Sequence, residues 1–173
     1  MSNPFLETTS AASVAPVIDR KAILTANPGI VSSARWFYWI AGLSIVNSVL
    51  THSGSETSFV AGLGFTLVVD AVFQSLKPVA FVIDALAVAF FIAMGALAVR
   101  GHRWAFLVGG VLYAMDAVIY VLLQAWFPVI FHAWALLSLW VGGMHLHREI
   151  KAQLAAPPAL ADAPLEVTST SSS

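Results

Sequence analysis

Four ionisable side chains lie inside long apolar stretches of this sequence, namely Asp70, Asp84, Asp116 and His132. In the hydrocarbon interior of a membrane, an Asp at the middle of a helix costs roughly 2.5–3.5 kcal/mol, so such groups face other helices and find partners there. Carboxylates and an imidazole that meet in this way can satisfy each other's hydrogen bonds, bind a cation and relay protons, or ligate a metal ion. These three chemistries correspond to a structural, a transport and a catalytic function.

Polar residues on the neighbouring positions extend this group. Tyr113 lies three residues before Asp116, on the same face of a helix, and Asn47 lies near the end of the first apolar segment. We therefore predict one polar intramembrane cluster, which contains Asn47, Asp70, Asp84, Tyr113, Asp116 and His132. Because the sequence has no His-Glu-x-x-His motif, we expect no catalytic residue, no metal site and no cofactor.

The predicted cluster is compatible with three functions. We expect a non-enzymatic membrane protein in which the cluster serves structure or contact with a partner. The alternative is a small transporter or a proton- or cation-conducting protein that uses the Asp and His groups. An intramembrane metal-dependent hydrolase is the third possibility.

The composition explains why these segments are expected in lipid. Of the 173 residues, 59% are apolar and 10% are charged, and the mean hydropathy is +0.85. A chain so poor in charge could not cover a water-facing surface, which indicates the lipid bilayer as its main partner, with a membrane-protein partner or a second copy as a further one. The net charge of −1 argues against a nucleic-acid partner, and the absence of cysteine excludes disulfides.

The apolar residues fall into five segments, and polar tails precede and follow them. We expect a flexible tail over residues 1–34, a helical membrane domain over 35–148, and a helix end followed by a disordered Pro/Ser/Thr-rich tail over 149–173. Backbone groups in lipid must bond within their own segment or within a closed barrel, so the segments are predicted to be α-helices. Their predicted ranges are Trp36–Thr51, Ser58–Leu76, Val79–Val99, Trp104–Trp126 and Pro128–His147.

The second segment differs from the other four. Polar or small residues recur there every four positions, which places them along one helical face: Ser58, Gly62, Thr66, Asp70 and Gln74. We predict four transmembrane helices plus one half-inserted or interfacial amphipathic helix in this segment; five transmembrane helices are the alternative.

The distribution of Lys and Arg favours four crossings. If segment two enters and leaves on the same side, seven of the eight basic residues are cytoplasmic and only Lys77 is not, and both termini are then cytoplasmic. With five crossings, four of the basic residues lie on each side of the membrane, and the positive-inside rule then gives no orientation. In both topologies the four ionisable groups share one half of the membrane.

Several stretches together look like small bacterial multi-pass inner-membrane proteins that have no assigned activity. They are the run from Arg35 to Ser44, Gly62-Leu63-Gly64 with Asp70-Ala71, Arg103-Trp104-Ala105-Phe106 with Tyr113-Ala114-Met115-Asp116-Ala117, and Phe131-His132-Ala133-Trp134-Ala135. The resemblance covers about residues 35–148 and neither tail. It implies a small helical bundle in a bacterial inner membrane and carries over no activity.

Overall fold

The computed structural model describes residues 17–52, 63–73 and 75–156, and every regular element in these ranges is an α-helix. The expected all-α class is therefore confirmed for the described part of the chain. The helices are α1 (Arg20–Ala26), α2 (Pro28–Ala34), α3 (Trp36–His52), α4 (Gly64–Val72), α5 (Lys77–Ala98), α6 (Arg103–Leu122) and α7 (Trp126–Ala155).

The predicted segments one, three and four match α3, α5 and α6 to within a few residues. Pro78 lies in the first turn of α5, where the missing N–H needs no partner, so the Lys77-Pro78 pair begins a helix after the break that the sequence predicts. The fifth predicted segment corresponds to α7, which continues past His147 to Ala155. In segment two the described helix has nine residues, about 14 Å, which is less than half of the ~30 Å hydrocarbon core.

The prediction of a flexible tail up to residue 34 is wrong for residues 20–34, which form α1 and α2. The side chain of Asp19 accepts the Ala22 N–H and so caps α1. Ile23, Ile30 and Ala34 are buried in the core, and both helices pack against α7. Tertiary packing of these few apolar side chains therefore orders a segment whose local sequence favours turns. Residues 1–16 and 157–173, which hold the rest of the predicted tails, lie outside the described part.

Neighbouring helices of the bundle run antiparallel. Between α6 and α7, Arg103 meets His147 at one end, and Asp116 meets His132 thirteen residues farther along α6. The helix α7 also runs antiparallel to the α1–α2 segment, because Gln153 near its end hydrogen-bonds Asp19, while Gly142 earlier in α7 lies against Ser33. Both ends of the described chain are consequently at the same end of the bundle.

The helices α3 and α5 are antiparallel as well. Tyr38, near the start of α3, lies against Gly95, near the end of α5, while Ser48 and Asp84 meet at the opposite ends of the same two helices. The end of α3 and the start of α5 therefore lie on the same side of the bundle. The chain therefore leaves α3 and enters α5 on the same side of the bundle, and α4 comes between these two helices in the sequence.

Two helix ends adopt the left-handed conformation that closes a helix. Gly101 has a φ of +79°, and the His102 N–H bonds the Leu97 carbonyl across the end of α5. Gln124 takes the same position after α6 with a φ of +56°, and the next N–H bonds back to the Tyr120 carbonyl. These two turns set α5, α6 and α7 side by side.

Within the described residues, the three helices α5, α6 and α7 are long and apolar enough to cross a membrane. Their outward faces carry large apolar side chains, among them Leu86, Leu107 and Trp140. Aromatic side chains fill the centre of the bundle, where the Phe37 ring packs on those of Phe91 and Phe106. A helical protein with an apolar exterior and an aromatic core is thus associated with a membrane.

Candidate functional site

The centre of the polar site is the carboxylate of Asp116, on the inward face of α6. The Asp116 side chain is almost completely buried, as are Tyr113, one turn earlier, and Tyr120, one turn later. The spacing of three and four residues puts all three on one face of the helix. The two tyrosine rings, with the Asp116 carboxyl group between them, therefore lie in the interior of the bundle.

Asp116 caps the start of α4. Its Oδ2 accepts the Gly64 N–H at 2.9 Å, and its Oδ1 accepts the Phe65 N–H at 2.8 Å. Leu63, at the N-cap position of α4, has no side-chain acceptor of its own, so a carboxylate from another helix takes this task. In its ionised form, the carboxyl group also places a negative charge at the positive end of the helix dipole.

Hydroxyl groups hydrogen-bond the remaining backbone groups at the start of α4. The Ser44 Oγ on α3 accepts the Leu63 N–H at 3.1 Å and donates to the Ile40 carbonyl at 2.8 Å. The Thr66 hydroxyl donates to the Leu63 carbonyl at 2.7 Å. Three consecutive backbone N–H groups, at residues 63–65, are therefore bonded to side chains of α3 and α6, which satisfies donors that would otherwise be costly in an apolar interior.

His132 on α7 holds the carboxylate from the other side. Its Nδ1 is 2.8 Å from the Pro128 carbonyl oxygen, and its Nε2 is 3.0 Å from the Asp116 Oδ2. Because a carbonyl only accepts, Nδ1 must carry a proton, and one further proton then lies between Nε2 and Oδ2. The pair is either an imidazolium with a carboxylate or a neutral imidazole with a carboxylic acid. In both forms the pair as a whole has no net charge, which suits a completely buried histidine.

Aromatic rings fix the orientation of the imidazole. The Tyr113 ring stacks on the His132 ring, with 4.2 Å between centroids and an interplanar angle of 16°. The Tyr120 ring lies 5.1 Å away at a tilt. The Tyr113 hydroxyl is buried and has no hydrogen-bond partner within the described residues. Stacking rather than hydrogen bonding is thus what Tyr113 contributes to the imidazole.

Tyr120 also contacts the start of α4. A Cβ atom added to Gly64 would lie 2.9 Å from the Tyr120 ring, a distance at which one of the two must move. The absence of a side chain at position 64 therefore allows the first N–H groups of α4 to approach Asp116.

A second polar contact joins α3 and α5. The Ser48 hydroxyl donates to the Asp84 Oδ2 at 3.0 Å, and both residues are buried, as is the neighbouring Asn47. Asp70 lies on α4 and is partly buried; its Oδ2 has no hydrogen-bond partner within the described residues. Of the residues predicted to form one cluster, the structure brings Asp116, His132 and Tyr113 into direct contact, and it pairs Asp84 with a serine.

A groove between α4, α5 and α6 reaches Asp116 from the outer face of the bundle. Its volume is about 470 Å³, and apart from Asp116 its walls are apolar, with Leu63, Phe90 and Met115 among them. The groove thus gives lipid or a small apolar molecule a path toward the carboxylate, but it does not offer a polar lining for water or ions.

Some members of the site are not recognisable from sequence. The N–H groups of Gly64 and Phe65 and the carbonyl of Pro128 are backbone groups, which every residue has, so no residue type marks them. Ser44 does carry a signal, because Ala41, Ser44 and Ser48 are three and four residues apart and form a stripe of small and polar residues on one face of α3. This stripe places Ser44 toward the bundle, but it does not place Ser44 against the start of α4.

The described residues contain no group of three His, Asp or Glu side chains placed to hold a metal ion. The chain matches no protein-family model, no curated protein sequence and no solved structure. The chemistry of the site itself is therefore the basis for a proposed function.

Proposed function

We propose that this chain is a non-enzymatic multi-pass protein of a bacterial inner membrane, with a structural or partner-binding role, whose polar core holds a half-inserted helix in place. The observation that carries the proposal is the bonding of Asp116. Its two oxygens accept two N–H groups of α4, and Oδ2 also faces His132. Each of these contacts serves the fold, and together they attach a short helix to the transmembrane bundle.

The proposed topology has four crossings, with α4 inserted only part of the way. The antiparallel packing of α3 on α5 supports it, since a full crossing by the intervening segment would make those two helices parallel. The fourth crossing would be formed by α3 together with α2. The backbone bonds of Arg35, to Val31 before it and from Trp39 after it, continue the helical pattern from one to the other. The span from residue 28 to residue 52 is then about 37 Å long.

Both termini are proposed to be cytoplasmic. The basic residues lie on α1, at the α2–α3 junction, at the α5–α6 turn and on the last turns of α7, whereas Lys77 begins α5 at the opposite end. Seven of the eight therefore belong to elements at or near one end of the bundle, which the positive-inside rule assigns to the cytoplasm. The resemblance of residues 35–148 to bacterial inner-membrane proteins points to the same membrane.

Transport is the competing function, and flux measurements separate it from the structural role. Purified protein is reconstituted into liposomes that contain a pH-sensitive or a cation-sensitive dye, and the Asp116→Asn variant serves as the comparison. We expect the native protein to pass protons, Na⁺ and K⁺ no faster than empty liposomes do. The structural proposal fails if the native protein conducts and a folded Asp116→Asn variant does not, because a proton or cation would then use this carboxylate.

A further inference from the structure

A second groove runs along the lipid-facing side of the bundle between α6 and α7, away from Asp116. It consists of two adjoining cavities of about 440 and 540 Å³, which share Phe106, Leu107, Leu139 and Trp140 in their walls. From Arg103 at one end to Ala114 at the other, it follows eleven residues of α6, or about 16 Å. That is about half of the ~30 Å hydrocarbon thickness, the depth of one leaflet.

The floor of this groove is open because small residues form it. A Cβ added to Gly110 would meet nothing within 4 Å, and Ala114 follows one turn later on α6. The exposed side chains of Leu107 and Trp140 form its rims. A narrow apolar channel of this length fits an extended hydrocarbon chain.

The end of the groove carries positive charge and hydrogen-bond donors. The Arg103 Nη1 lies 3.1 Å from the His147 Nδ1, and since a guanidinium only donates, Nδ1 accepts and the His147 Nε2 carries a proton. Both side chains are exposed. Within the described residues no carboxylate lies within salt-bridge distance of Arg103. The remaining guanidinium N–H groups and the His147 Nε2–H are therefore available to an anion.

We propose that this groove binds one anionic phospholipid of the leaflet on the Arg103 side, with an acyl chain between α6 and α7 and its phosphate on Arg103 and His147. The charge complementarity identifies the ligand class. An apolar channel one leaflet deep ends at a guanidinium that has no carboxylate partner among the described residues, and a basic site between transmembrane helices suits an anionic headgroup. This site is independent of the role proposed for Asp116, and it requires only that α6 and α7 cross the membrane.

Native mass spectrometry of the purified protein in detergent, with phosphatidylglycerol or phosphatidylcholine added in steps, tests the proposal. We expect the native chain to bind one phosphatidylglycerol more tightly than any phosphatidylcholine. Arg103→Gln should weaken the first phosphatidylglycerol by about fivefold, the usual effect of one basic residue at a membrane surface. Arg100→Gln is the matched control, since it removes the same charge from the same turn but does not line the groove.

The acyl part of the site has its own variant. Gly110→Leu fills the open floor and should reduce binding of both lipids, while Gly42→Leu, which also enters open space but on α3, should not. Equal weakening by Arg100→Gln and Arg103→Gln would overturn the proposal, because the headgroup contact would then be nonspecific. Unchanged phosphatidylglycerol binding in Gly110→Leu would do the same. A dimer that Gly110→Leu abolishes, with lipid binding unaffected, would assign the groove to a second copy of the chain.

Discussion

At the scale of single residues, Asp116 differs from its amide by one acceptor and one charge. In Asp116→Asn, the amide oxygen can still accept one α4 N–H, but the NH₂ group would face the Gly64 N–H, and two donors cannot bond each other. One buried N–H would then lack a partner, at a cost of about 1–3 kcal/mol. We expect Asp116→Asn to lower the free energy of unfolding by that amount, measured by chemical unfolding in detergent micelles.

Asp70→Asn is the matched control for this measurement. The same change of acid to amide occurs there on α4 itself, at a carboxylate whose Oδ2 accepts no hydrogen bond within the described residues. We expect Asp70→Asn to leave the unfolding free energy unchanged or to raise it slightly. If both variants lost equal stability, the loss would come from charge alone, and the capping role of Asp116 would be wrong.

At the scale of helices, close packing of α2 on α7 orders a segment whose composition is typical of a flexible tail. A Cβ added to Gly142 would overlap the Cβ of Ser33, an atom next to the backbone that cannot rotate away. Gly142→Ala must therefore push α2 and α7 apart, which in packed interiors costs about 1–3 kcal/mol. We expect a lower unfolding temperature, measured by circular dichroism in micelles.

Gly42→Ala provides the comparison, because its added Cβ meets nothing within 4 Å and alanine is the better helix former. It should leave the unfolding temperature unchanged or raise it. In Gly142→Ala, trypsin should also cleave more readily after Arg20 or Lys21 than in the native chain. Equal cleavage of the two proteins would mean that α2 does not depend on this contact for its order.

These helices also show how far sequence patterns reach. Four of the five apolar segments predict α3, α5, α6 and α7 well, because hydrophobic length is a property of each segment alone. The helices α1 and α2 do not follow from the local sequence, because Asn27-Pro28-Gly29 is a turn signal, whereas both helices depend on contacts with α7, over a hundred residues later. Asp116 and His132 were predicted to lie together from their depth in the membrane, but capping of α4 involves backbone groups that no residue type marks.

At the scale of the whole molecule, the proposed orientation in the membrane rests on the distribution of charge. The native chain is suited to a test of this proposal because it has no cysteine. Single cysteines can therefore be labelled with a membrane-impermeant maleimide in intact cells, with the native chain as the unlabelled control. Ser75, Ala26 and Ala156 are exposed positions at or near helix ends, so a cysteine there is accessible on whichever side it lies.

With four crossings and cytoplasmic termini, Ser75→Cys should react in intact cells, while Ala26→Cys and Ala156→Cys should react only after the membrane is permeabilised. Five crossings from a cytoplasmic N-terminus give the reverse for two of these, with Ser75→Cys protected and Ala156→Cys labelled from outside. Labelling of both Ala26→Cys and Ala156→Cys in intact cells would keep the even number of crossings but invert the protein. That result would mean that seven basic residues at or near one end of the bundle do not set its orientation, contrary to their expected retention in the cytoplasm.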